Sequence, residues 1–346
     1  MKILFVDNNT HLKTLDDLKT QARGGMVASL LHVTDGLSKK GYDVHVWGND
    51  FDDVSAAGVT WHKDPINDAD VIIFNRGIGD AAPALGPGKR ILWTHDLPHA
   101  GHCKDHRYMN ALTCMVSMSK YGDRVWRDMF DYTGKSVCIP NGVDKGLFKR
   151  APNKECQYLI YASAPNRGLW RMPLIFDAIR NHVPGTYMRA YSNMRSQHPG
   201  EIKETEDNYE LDYYSCEEAG IDRRDPIPQH ELAKELGSAG LMILPTNYPE
   251  ICSNSILQSL ACGTPVITAG SIGSAPEWLK HKKNAMLTTY QARDYMVFQR
   301  QIIQYAVTVL RDRPMHLRMM AAAAKTKILS WDDVVDRWDA MVRRYC

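Results

Sequence analysis

The sequence predicts an α/β protein with two doubly wound, mostly parallel sheets, and three observations carry that prediction. Short apolar runs at residues 3–6, 42–47, 71–74, 91–93, 115–117 and 137–139 alternate with helical or Gly/Pro-rich stretches, the order that lays parallel strands under crossover helices. A second series of the same kind begins at residues 158–162. The length of 346 residues suits about two domains of ordinary size.

Taken in order, residues 3–6 read as a buried strand that ends in the polar turn Asp7, Asn8, Asn9, Thr10. Gly24-Gly25 precedes a helix whose apolar face is Val27, Leu30, Leu31 and Leu37, with a stop at Gly41. The strand at 42–47 follows at once, as a βαβ crossover requires. The remaining runs extend one sheet to about residue 150, where Ala151-Pro152-Asn153 interrupts both periodicities. We therefore expect a first domain over residues 1–152 and a second over 153–329.

In the second half, strands are expected at 158–162, 188–191, 241–244 and 265–269, with helices at 170–181 and 251–261. Residues 196–225 are acidic and tyrosine-rich (Glu201, Glu204, Glu206, Asp207, Glu210, Asp212) and read as a solvated loop-helix segment. Residues 315–324, with four consecutive alanines, read as a packed helix. The stretch from Ser330 reads as a capped amphipathic helix that buries Val334, Val335, Trp338 and either Met341 or Val342.

The apolar share of 44% against 24% charged residues excludes disordered, collagenous and coiled-coil classes. A formal net charge of +2 leaves no whole-molecule field for a polyanion, so any anion site is local and no general nucleic-acid surface is expected. The eight cysteines form no CxxC pair and read as reduced thiols of a cytoplasmic protein. No apolar run approaches the roughly 20 residues that span a bilayer, so any membrane contact would be peripheral.

Ligands of doubly wound sheets bind at the carboxyl ends of the strands, near helix N-termini. There the second half carries Glu250, expected just ahead of a helix, and Ser253, Asn254 and Ser255, whose first-turn amides would face an anion. The loop after residues 158–162 carries Asn166 and Arg167, a guanidinium fork suited to a phosphate. Either could be ordinary: an exposed arginine, or a carboxylate favoured by the helix dipole. Their meeting in one crevice is what would distinguish them. His95, His99, His102, Cys103 and His106 recur at intervals of a helical face, but Pro98 and Gly101 break such a helix, and no metal site is expected.

Together these residues resemble the retaining glycosyltransferases of the GT-B fold, family 4. The resemblance rests on residues 245–250 (Pro-Thr-Asn-Tyr-Pro-Glu) followed by 255–267. It is supported by Gly24-Gly25, His95-Asp96, the run 117–121, Ile139-Pro140-Asn141-Gly142-Val143-Asp144 and Ser330-Trp331, and so spans nearly the whole chain. It implies two Rossmann-like domains facing across a cleft, with residues 330–346 crossing back to the first. It implies a nucleotide-diphosphate sugar as donor substrate, no cofactor and no metal, and transfer to a hydroxyl acceptor with retention at the anomeric carbon. Glu250 would bind donor-sugar hydroxyls and His95 would face that sugar. Arg167, with Asn166, Gly25 and the 253–255 amides, would hold the diphosphate.

The family's second glutamate is replaced by Gln258, a neutral group that would hold ribose hydroxyls less strongly. A further arginine found upstream in many relatives is missing near Ser163 or Ala164. Asn141 and Gly142 read as a turn into a hinge. Acceptor contacts are expected from residues 8–23 and from the tyrosine-rich stretch near 205–214. Two other readings share the fold: a nucleotide-sugar epimerase, and a non-catalytic nucleotide-sugar binding protein.

Overall fold

The computed structural model describes residues 1–7, 12–48, 53–78, 85–99, 103, 106–194, 207–289 and 294–346. Its first half holds strands β1 (Lys2–Val6), β2 (Asp43–Trp47), β3 (Val54–Ala56), β4 (Val59–His62), β5 (Val71–Asn75), β6 (Lys89–Thr94), β7 (Cys114–Ser117) and β8 (Ser136–Cys138). They pair in the order β3-β4-β2-β1-β5-β6-β7-β8. All these pairings are parallel except β3 with β4, which is antiparallel. That hairpin was not anticipated. Its strands have three and four residues and β3 lies largely exposed at the sheet edge, too short and too wet to leave an apolar run.

The second half holds β9 (Glu155–Ala162), β10 (Tyr187–Tyr191), β11 (Asp222–Arg224), β12 (Ala239–Leu244), β13 (Val266–Ala269) and β14 (Ala285–Thr288), in the all-parallel order β11-β10-β9-β12-β13-β14. β5 and β12 are buried along their whole length, as central strands covered on both faces must be. The strand order reverses between β1 and β5 and again between β9 and β12. These are the switch points where loops part to opposite faces and leave a crevice at the carboxyl ends.

The helices are α1 (Asp17–Thr20), α2 (Gly25–Lys39), α3 (His106–Asn110), α4 (Lys120–Phe130), α5 (Met172–His182), α6 (Glu210–Glu218), α7 (Gln229–Ser238), α8 (Asn254–Ala261), α9 (Ala275–Trp278), α10 (Tyr295–Arg311), α11 (Arg313–Ala324) and α12 (Trp331–Tyr345). α8 starts three residues later than the sequence suggested, because residues 245–253 form an irregular loop at the switch point. In the acidic stretch, residues 195–206, including Glu201, Glu204 and Glu206, lie outside the described residues. The rest of it is less solvated than expected: Tyr213 and Cys216 of α6 are buried, and β11 follows.

α12 packs on the first sheet. Trp331, Val334, Trp338, Met341 and Val342 join the apolar core of Ile3, Phe5 and Trp93, and the Trp338 ring lies 4.8 Å from that of Trp93. Burying each such side chain contributes roughly 1.5–3 kcal/mol. Gly36 of α2 lets the helices meet, since a Cβ there would stand 2.3 Å from Val335. Ser330 caps α12 in a capping box with Asp333. The two passages of chain between the halves touch each other: Val143 N–H donates to Leu329 O at 2.9 Å.

Candidate active site

The β9–β12 switch point builds one wall of a cleft. Beyond β9 the chain makes a short 3₁₀ turn over Pro165–Arg167, steadied by the Tyr161 hydroxyl, which donates to Ala164 O at 2.6 Å. Gly168 ends the turn at φ 95°, and a Cβ there would lie 2.2 Å from Pro245 O. Only glycine allows both the backbone angle and the approach of the β12 loop. This contact sets Arg167 against the Tyr248–Glu250 loop.

Arg167 Nε donates to Glu250 Oε1 at 2.7 Å, and the guanidinium lies 3.7 Å from the centre of the Tyr248 ring. Both charged side chains are about one-fifth exposed. Among the described residues the two Nη groups of Arg167 make no hydrogen bond, so most of its donors remain for a ligand. Glu250 is therefore not the helix-dipole carboxylate of the plain reading. It stands four residues ahead of α8, and its partner is Arg167.

Ser253 is the N-cap of α8, but its side chain accepts no hydrogen bond from the helix, which leaves the first-turn amides for an anion. Ser255 Oγ donates to Ala162 O at 2.5 Å and ties this turn to the end of β9. Gly25 opens α2 from the other half, and a Cβ on it would stand 1.8 Å from Asn254 Nδ2. Two helix N-termini thus converge.

The facing wall comes from β6. His95 is buried, its Nε2 has no hydrogen-bond partner among the described residues, and burial pushes its pKa down to about 3. The ring stays neutral at any ordinary pH. Beside it Asp96 accepts from Arg76 Nε at 2.6 Å. Arg76 stands at the carboxyl end of β5 with φ 82°, a left-handed conformation costly to a non-glycine residue.

These groups line two adjoining cavities. One, of about 190 Å³, is bordered by Gly25, His95, Asp96, Arg167, Tyr248 and Glu250; the other, of about 120 Å³, reaches Tyr191, Asn193 and Gln258. Gly25, Ser163, Ala164, Asn254 and Ser255 border both. A larger cavity of about 580 Å³, between α1, α2 and the start of α7, carries none of the expected donor-site residues, but Thr14, Leu15, Asp16, Leu18 and Lys19, from the stretch expected to contact the acceptor, line it. The geometry thus brings together Gly25, His95, Arg167, Glu250, Ser253, Asn254, Ser255 and Gln258. Asn166 is the exception: it is exposed and lines neither cavity, because the 3₁₀ turn points consecutive side chains in different directions.

Asn141 does more than turn the chain. It accepts from Ser29 Oγ at 2.8 Å and donates from Nδ2 to Asn254 Oδ1 at 2.7 Å, which joins α2 to α8 across the cleft. The sequence reading also passed over Arg76 and Tyr248. Arg76 was open to the rule that singled out Arg167, since it too follows directly on an apolar strand. Among the described residues no group of three His, Cys, Asp or Glu side chains could hold a metal. His102 lies outside the described residues, and α3 begins only at His106.

Residues 204–306 match the family model described as Glycosyl transferases group 1, a span that includes Glu250, α8 and Gln258. Over that span, under a third of the chain, the sequence is similar to the glycosyl transferases group 1 family. The chain's fold is GT-B, with the two parallel sheets on either side of the cleft.

Solved structures similar to this chain include sucrose-phosphate synthase from Thermosynechococcus elongatus, at 12% identity and TM-score 0.75, covering 99% of this chain and 98% of that one. Anabaena Alr3699/HepE, solved in complex with UDP and glucose, is 16% identical at TM-score 0.70, covering 99% and 100%. A glycosyltransferase from Rickettsia africae is 13% identical at TM-score 0.70, covering 99% and 98%. At these identities the likeness is one of fold. No curated protein matches the sequence. Among the described residues no helix is long and apolar enough to cross a membrane.

Proposed function

We propose that this protein transfers a sugar from a nucleotide-diphosphate sugar to a hydroxyl acceptor, with retention at the anomeric carbon. The observation that carries the reading is the convergence at one switch point of a largely unengaged guanidinium, unoccupied helix-terminal amides and a carboxylate. The leaving group of such a reaction is a diphosphate whose negative charge grows as the glycosidic bond breaks. Arg167 and the first-turn amides of α8 would meet that charge in a narrow cleft, the kind of preorganised stabilisation that lowers such barriers most. Solved complexes of a protein of the same fold with UDP-glucose make a uridine diphosphate sugar the first donor to try.

The residues divide the work by chemistry. Glu250 would accept hydrogen bonds from donor-sugar hydroxyls, and the neutral ring of His95 would offer a hydrogen bond without repelling the developing positive charge of the sugar. Gln258, in the cavity beyond Asn254, would meet the ribose. The carboxylate described on the facing wall, Asp96, is already held by Arg76 and is not free to serve as the second carboxylate that retaining glycosidases use, so a same-face substitution suits the cleft better than a double displacement. With Arg167 and the amides serving the diphosphate, activity is expected to persist in excess EDTA.

The test is a thermal-shift screen of nucleoside diphosphates and their sugars, followed by assay of nucleoside diphosphate release and NMR of the product's anomeric proton. Stabilisation by one nucleotide sugar and a product of the donor's own anomeric configuration are expected. A product of opposite configuration would refute retention. Donor binding with no transfer to any acceptor would favour the binding-protein reading, and an epimerised sugar without transfer would favour the epimerase. Stabilisation by none of them would sink the proposal.

A further inference from the structure

Away from the cleft, a concavity of about 540 Å³ lies between the α9–β14 connection and the end of α11. Lys280, Lys283, Arg318, Lys325 and Lys327 all border it and all are exposed. Among the described residues none of these five cations has a salt-bridge partner. Among the described residues Glu277 is the only carboxylate bordering the groove, and its two oxygens already accept the Lys120 and Tyr121 amides of α4 at 3.1 and 2.9 Å. A chain with a net charge of only +2 has gathered cations from two distant segments at one place.

The grouping is held rigidly from beneath. Asn284 is buried; its Oδ1 accepts the Lys280 amide at 2.7 Å, while its Nδ2 donates to Trp278 O at 3.0 Å and Thr326 Oγ1 at 2.9 Å. One side chain thus fixes both basic segments against each other. Helix-dipole stabilisation accounts for part of the pattern, since Lys325 and Lys327 follow the C-terminus of α11. It does not account for Lys280, Lys283 and Arg318. Like charges around a shared hollow repel one another, and a ligand of high negative charge relieves all of them at once. The volume is that of a small-molecule site, and Trp278 gives it one aromatic side.

We propose that this groove binds a small anion carrying several phosphate charges, at a site separate from Arg167. The same chemistry is offered by a soluble polyphosphorylated compound and by a phosphate-bearing lipid headgroup, and the experiment separates them. Inorganic tripolyphosphate is titrated calorimetrically into the full chain carrying Arg167→Ala, so that the cleft does not compete. Saturable binding is expected, weakening by about tenfold or more as salt rises from low to several times physiological strength. The triple variant Lys283→Gln, Lys325→Gln, Lys327→Gln should lose about tenfold or more in affinity, whereas Lys135→Gln, Lys149→Gln, Lys234→Gln should lose none.

In parallel, both triple variants and the parent are sedimented with phosphatidylcholine vesicles containing or lacking phosphatidic acid. Tripolyphosphate binding without vesicle binding assigns a soluble ligand. Charge-dependent sedimentation that the groove variant alone loses assigns a headgroup. The proposal is overturned if neither probe binds, or if the groove variant and the control variant bind alike. All substituted lysines are exposed, and far-UV circular dichroism checks that the variants fold.

Discussion

Arg167 and Glu250 are bonded directly to each other, Nε to Oε1 at 2.7 Å, although 83 residues separate them in sequence. The pair joins the two loops of the donor-side switch point and leaves the far edge of the guanidinium facing the cleft. A cation placed for a diphosphate therefore also holds the carboxylate placed for a sugar.

Arg167→Ala should reduce nucleoside diphosphate release from the donor by about a hundredfold or more, the usual scale for removing one preorganised donor to a developing anion. Arg167→Lys should recover little, because an ammonium cannot bond Glu250 and also present a planar fork. In a double-mutant cycle with Glu250→Gln the losses should be less than additive, since the two side chains touch. Additive losses would show that the pair does not act as a unit.

Gly25→Ala places a methyl group on Asn254. To avoid it, Asn254 must swing away and give up its bond to Asn141, at a cost of about 1–2 kcal/mol. Donor affinity should fall about tenfold and the radius of gyration in small-angle scattering should rise. Adding Asn254→Ala should relieve the clash without restoring either the affinity or the compact radius, because the bond to Asn141 is lost with it.

Acid should destabilise the protein from about pH 6.5 downward. Burial lowers the pKa of His95 to about 3 and of His32 to about 4, so between these values and the unfolded value near 6.5 only the unfolded chain takes up the protons. Stability from these two groups is complete above pH 6.5 and is lost as pH falls, by about 2 kcal/mol per histidine at pH 5. The thermal midpoint should fall accordingly. His32→Phe, which keeps a ring against Trp331, should flatten the decline.

Ser330→Ala removes the hydroxyl that accepts Asp333 N–H at 3.1 Å. The loss should be about 1 kcal/mol, read as a lower urea midpoint with an unchanged slope. Transfer activity measured well below that midpoint should hardly change.

Legibility in the sequence followed the range of the interaction. Central strands announce themselves locally because they are buried on both faces, and residues 71–74 and 241–244 were readable for that reason. Arg167 and Glu250 were readable as loop residues at the carboxyl ends of strands, but their bond was not, because it depends on Gly168 bringing the β12 loop close. Asn141 looked like turn chemistry; its partners Ser29 and Asn254 lie 112 and 113 residues away, and no local pattern encodes them. Asn166 looked as suitable as its neighbour until the 3₁₀ turn pointed it outward.

The bond between Val143 and Leu329 also has a mechanical meaning. Two polypeptide connections held at separate points would resist twisting like a double bracket. Bonded side by side, with the Ser330 backbone seated against Gly142, they form a single pivot. The halves can swing like the covers of a book about one spine, and because Asn141, next to Gly142, borders the same cavity as Arg167 and His95, that spine runs along the back of the site itself.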